Sequence, residues 1–115
     1  FDTARIDDYD AIVLPGGVVN ADTIRLDEMA VELVKDAAKA NKPIAVICHG
    51  AWILATADLL KGKTLTSYPS LTDDLKNAGA TWVDQEVVVD GKLISSRTPD
   101  DLPAFNDKLI AALAA

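Results

Sequence analysis

The chain has 115 residues, half of them hydrophobic, and sets 11 Lys plus Arg against 18 Asp plus Glu for a formal charge of −7. That length fits one domain with a core of modest size, and the acidic balance argues against charge-driven binding to nucleic acid or anionic lipid. A single cysteine excludes an internal disulfide, and no apolar run reaches the roughly 18–20 residues of a membrane span, so the expected compartment is the cytoplasm.

Residues 11–14, AIVL, form an apolar run closed by PGG, which reads as a strand buried on both faces and ending in a tight turn. From Asp22 the pattern becomes helical: Ile24, Leu26, Met29, Ala30, Leu33, Val34, Ala37 and Ala38 recur at steps of three and four until Asn41 and Pro43 stop it. IAVI at 44–47 is a second continuous apolar strand. GAWILATADLL, after Cys48, reads as a helix ending near Gly62.

TLTSY then predicts a strand, SLTDDLKNAGA a short helix stopped by Gly79, and TWV another extended piece. In EVVVDGKLISS, Asp90 and Gly91 between two β-rich runs predict a type I′ hairpin. The last helix starts near DDLP, with an Asp cap and Pro103 in its first turn, and its predicted inner face is Leu102, Phe105, Leu109, Ile110 and Leu113. The fold class that follows is α/β: a mostly parallel sheet with helices on both faces and an antiparallel hairpin at its side. Such a sheet has an open edge that one further β-α-β unit would close.

The chemistry gathers in KPIAVICHG, where the only cysteine and the only histidine are adjacent. An apolar strand ending at a candidate nucleophile, followed by Gly and a helix, has the layout of a nucleophile elbow. A helix N-terminus there favours thiolate, and its free N–H groups suit a developing oxyanion. The other reading is a buried thiol packed inward from the strand, since cysteine is among the most often buried residue types. His49–Gly50 favours the elbow. Because neighbours on a strand point to opposite faces, only a distortion at the turn brings the His49 imidazole to Cys48. A general base also needs an orienting acid, and Asp22 follows the PGG loop at the same sheet edge. One Cys and one His fall short of a zinc site, and LPGGVVNAD is no phosphate loop, so no metal and no cofactor is expected.

YDAIVLPGG, KPIAVICHG and LTSYPSLTDDLKNAGATWVDQEVVVDGKLISSRTPDDLPAF together resemble the PfpI family of the class I glutamine amidotransferase-like superfamily, over almost the whole chain. The resemblance implies a flavodoxin-like three-layer α/β sandwich, with residues 1–115 as a single PfpI-like domain representing the C-terminal two-thirds of the full one. The family's N-terminal strands, whose loop supplies a Glu to the thiol, are then expected to lie before Phe1.

The resemblance further implies Cys48 as nucleophile, His49 beside it and Asp22 from a neighbouring subunit as the third member of a triad. Backbone N–H groups of Gly17 and His49 are the implied oxyanion site, and Tyr68 lines the implied pocket. Without the resemblance, Gly17 is a turn glycine and Tyr68 a strand aromatic. Ala51 and Trp52 depart from the Pro and Gln that commonly follow CHG in the family.

The implied activity is that of a stress-related, cofactor-free cysteine hydrolase, either an intracellular peptidase or a protein deglycase or glyoxalase. Its implied substrates are a small-molecule aldehyde, a glycated protein or a peptide, and its implied assembly is a homo-oligomer, dimer or hexamer. The competing reading is a non-enzymatic redox sensor or holdase-type stress protein using the same reactive cysteine.

Overall fold

The computed structural model describes residues 12–14 and 28–114. The elements are β1 (Ile12–Leu14), α1 (Glu28–Lys39), β2 (Ile44–Ile47), a 3₁₀ turn (Cys48–Ala51) running into α2 (Trp52–Thr56), β3 (Thr64–Leu65), α3 (Thr72–Asn77), β4 (Thr81–Trp82), β5 (Val88–Asp90), β6 (Leu93–Ser96) and α4 (Leu102–Ala114). The fold is α/β with a mostly parallel sheet and an antiparallel pair, as the alternation of apolar runs and helical patterns predicts.

The main sheet has strand order β1-β2-β6-β5, with β5 antiparallel to β6 and the other pairs parallel. All four residues of β2 are buried, because the sheet is covered on both faces. Ile44 and Val46 pack with Leu14, Leu93, Ala30, Val34 and the α2 and α3 leucines, whereas Ala45 and Ile47 pack with Ile94 and Phe105 of α4. Strand alternation thus splits the apolar core into two clusters and gives three layers. In α1 the inward positions Ala30, Val34 and Ala37 follow the helical repeat, while Ala38, placed on that face by the sequence pattern, is exposed.

Several sequence expectations need correction. The helix after Cys48 ends at Thr56, well before Gly62. Asp58 takes a left-handed φ of 58°, the Leu59 N–H bonds the Leu54 carbonyl at 3.0 Å and the Asp58 N–H that of Ala55 at 3.1 Å. This Schellman end stops the helix although apolar residues continue, and Leu60 is buried from an irregular segment instead. TLTSY yields only a two-residue strand, which pairs in parallel with β4 in a separate small sheet. The Thr64 N–H donates to Asp90 Oδ2 at 2.8 Å and the Thr66 N–H to Ser95 Oγ at 2.9 Å, so side chains take donors that a continuous ladder would use.

Asp90 pairs with Leu93, which makes Gly91–Lys92 the hairpin loop instead of Asp90–Gly91. Gly91 has φ 60° and Lys92 is not left-handed, the pattern of type II′ rather than I′. Gly79 does stop α3, at φ 98°, and a Cβ there would meet Lys61 Cα at 3.1 Å. The cap before α4 is Thr98, in a reciprocal capping box with Asp101. The inner face of α4 is Phe105, Leu109 and Ala112, because Leu102, Ile110 and Leu113 point to solvent.

Asp101 is buried and accepts Arg97 Nε at 2.9 Å, Arg97 Nη2 at 3.0 Å and the Arg97 backbone N–H at 3.0 Å. Those hydrogen bonds from Arg97 hold its carboxyl below the ordinary value. The guanidinium also reaches Asp84 at 2.8 Å, and this clamp fixes the chain where β6 turns into α4.

Candidate active site

Cys48 directly follows β2, at the C-terminal edge of the sheet, where Ile47 lies in register with Ser96 of β6. Its φ is 59°, a left-handed conformation that a non-glycine residue rarely adopts, whereas Ile47 before it is extended. The chain therefore turns sharply at Cys48 and enters the 3₁₀ segment at once. This is the distortion an elbow requires, and it overrides the strand rule that would separate the two side chains.

Cys48 Sγ lies 3.2 Å from His49 Nδ1, and the thiol is half-buried. The imidazole is only 5% exposed. Tyr68 stacks on it at 4.8 Å between ring centroids, and Trp52 meets it edge-on at 5.2 Å. Trp52 thus packs against the histidine, and its Nε1 donates to Asp74 Oδ2 at 3.2 Å. Burial pushes the His49 imidazole below its ordinary pKa, which favours the neutral ring at neutral pH.

His49 Nε2 lies 3.3 Å from Ser70 Oγ, in the 3₁₀ turn Pro69–Leu71 that precedes α3. With the thiol protonated, Sγ–H donates to Nδ1 and Nε2–H donates to Ser70. Once the proton moves to the ring, Nδ1–H donates to the thiolate instead. The Tyr68 N–H bonds the Cys48 carbonyl at 3.1 Å, tying the β3–α3 loop to the elbow.

Of the residues singled out from the sequence, the structure brings together Cys48, His49 and Tyr68. Asp22 and Gly17 lie outside the described residues. Ser70 is the partner that sequence reading missed; the signal was a hydroxyl two residues after Tyr68 in SYPS, a loop leaving a strand at the site's edge. Among the described residues no three His, Cys, Asp or Glu side chains gather to hold a metal ion. No described helix is long and apolar enough to cross a membrane.

The DJ-1/PfpI family model matches residues 1–112. The chain belongs to the DJ-1/PfpI family. It is 48% identical over 113 residues to a deglycase of Pyrococcus abyssi, covering 98% of this chain and 68% of the relative. It is 46% identical to protein/nucleic acid deglycase 2 of Escherichia coli, covering 94% of this chain and 63% of that one. Among solved DJ-1/PfpI structures, a two-domain Anabaena variabilis protein with DJ-1/ThiJ/PfpI-like and ferritin-like domains superposes with a TM-score of 0.95 at 38% identity, over 97% of this chain and 32% of that one. The chain thus spans about two-thirds of the length of the curated relatives it matches.

Proposed function

We propose that this chain carries the reactive centre of a cysteine-dependent hydrolase of the deglycase type, acting on glycated protein or on small aldehydes that glycate it. The observation that carries the reading is the 3.2 Å approach of Cys48 Sγ to His49 Nδ1 at a left-handed elbow, with the thiol half-buried. The names of the two deglycase relatives support the substrate class.

In this reading the Cys48 proton passes to His49 Nδ1 as Sγ attacks the aldehyde carbon, and returns to the carbonyl oxygen to give a hemithioacetal. With a dicarbonyl, a proton then shifts from the hemithioacetal carbon to the neighbouring carbonyl carbon by way of the enediol. The resulting thioester is hydrolysed by water to a hydroxy acid, and the thiol returns. A peptide carbonyl would be attacked by the same sulfur, with His49 protonating the leaving amine.

The backbone N–H groups of Gly17 and His49 are the proposed oxyanion donors, and Tyr68, stacked on the imidazole, forms one wall of the pocket. Asp22 of a second copy is the proposed acid for His49, sharing the Nε2–H with Ser70 Oγ, which makes the active form a homo-oligomer. No cofactor takes part in this scheme.

The test is lactate formation from methylglyoxal, run beside cleavage of a fluorogenic peptide, for the wild type and Cys48→Ala. Lactate formation that vanishes with the thiol is the expected result. Unchanged rates in both assays after Cys48→Ala would overturn the reading.

A further inference from the structure

A cavity of about 390 Å³ opens at the edge of the main sheet opposite Cys48, between the end of α1, the segment after α2 and the β5–β6 turn. It meets β2 at Ile44, whereas the thiol follows Ile47, so the two sites are separated by the length of the strand, roughly 10 Å. Its volume falls in the range of roughly 300–1,000 Å³ typical of small-molecule sites.

The lining has two parts. Leu54, Leu59 and Leu93 supply apolar surface, and Lys42, Lys63 and Lys92 supply positive charge. Among the described residues no Asp or Glu lines the cavity, although acids outnumber bases 18 to 11 in the chain. Lys63 and Lys92 make no ion pair among the described residues. Lysine charges beside an apolar floor favour an anionic ligand. A metal ion is disfavoured by the same charges.

We propose that this cavity binds an amphipathic monoanion, a carboxylate joined to a short apolar body. The carboxylate would sit between the Lys63 and Lys92 ammonium groups and the body against the three leucines. The apolar floor favours such a ligand over inorganic phosphate or a polyphosphate, which would leave it bare.

Octanoate is the probe, with acetate and n-octanol as arms that keep only its charge or only its chain. Titrations followed by amide NMR should show saturable octanoate binding, with shifts at Lys63 and at Gly91–Leu93. Acetate and octanol should each bind about tenfold or more weakly, the weight of losing one charge-assisted contact or most of the apolar burial. The double variant Lys63→Gln/Lys92→Gln should lose about tenfold in octanoate affinity, whereas Lys63→Arg/Lys92→Arg, which keeps the charge, should stay within about threefold. Wild-type affinity should also fall as salt rises toward about 0.3 M, a readout that needs no variant to fold. Cys48→Ser should bind octanoate as the wild type does, so this site and the reactive centre stand or fall separately. Octanol binding as tightly as octanoate, salt-independent affinity, or shifts centred on His49 would each overturn the proposal.

Discussion

Cys48 Sγ and His49 Nδ1, on adjacent residues, lie 3.2 Å apart because Cys48 is held at φ 59°. An extended residue at 48 would send the two side chains to opposite faces of the sheet. The strained backbone is therefore what makes the pair. It carries a cost that substitution at the same residue can measure.

Cys48→Ala and Cys48→Gly both remove the sulfur, but only glycine adopts the left-handed conformation without strain. Cys48→Gly is expected to be more stable than Cys48→Ala by about 1 kcal/mol, read from urea unfolding, with both inactive. Equal stabilities would mean that the elbow is unstrained in solution.

Burial lowers the His49 pKa from its ordinary 6.5. Below that pH the unfolded chain binds a proton that the folded protein resists, so stability falls as pH drops through about 6.5 and levels off below the folded value. His49→Gln should flatten this limb in chemical unfolding measured from pH 7.5 down. The acid limb of the activity profile should also lie below 6.5, since the ring must be neutral to accept the thiol proton.

Ser70→Ala removes the group at His49 Nε2 and leaves the Cys48 contact in place. A net hydrogen bond of about 1 kcal/mol predicts a loss of roughly fivefold in kcat/KM, with the acid limb of the pH profile displaced. Ser70→Thr, which retains the hydroxyl, should recover most of the loss. A Ser70→Ala profile that overlays the wild type would show that the hydroxyl does not position the ring.

Asp101, held below its ordinary 3.8 by Arg97, contributes stability that is present above about pH 4 and is lost as pH falls through the folded value. Asp101→Asn should be less stable than the wild type at pH 7, and the gap should close toward pH 2. Thr98→Ala, which breaks the other half of the capping box, should cost about 1 kcal/mol at both ends of that range.

Much of the fold was legible because it rests on local pattern. IAVI is a continuous apolar strand buried on both faces, α1 repeats Ala30, Val34 and Ala37, and Gly79 ends α3, whereas β1, expected to be buried on both faces, leaves Val13 47% exposed. The site was half legible: the sole Cys–His pair announced itself, yet the backbone turn uniting it belongs to the fold. Ser70 was hidden because 21 residues separate it from His49, and only the placement of the β3–α3 loop brings them together. The helix after Cys48 was overextended because apolar Leu59 and Leu60 mimic helical periodicity while burying themselves from an irregular segment. The outward face of α4 was misassigned for a related reason: apolarity alone does not say which of two hydrophobic stripes meets the sheet.

The Cys48 sulfur and the surroundings of the His49 imidazole come from different parts of the architecture. Cys48 takes its position from the four-stranded sheet, whereas Tyr68 and Ser70 arrive on a loop leaving the separate two-stranded one, joined to the elbow by the Tyr68 N–H. Substitutions in residues 68–70 can therefore retune basicity and access at the imidazole without disturbing the strand that positions the Cys48 sulfur. Drift in one short loop can thus change what meets the imidazole while the Cys48–His49 pair stays in place.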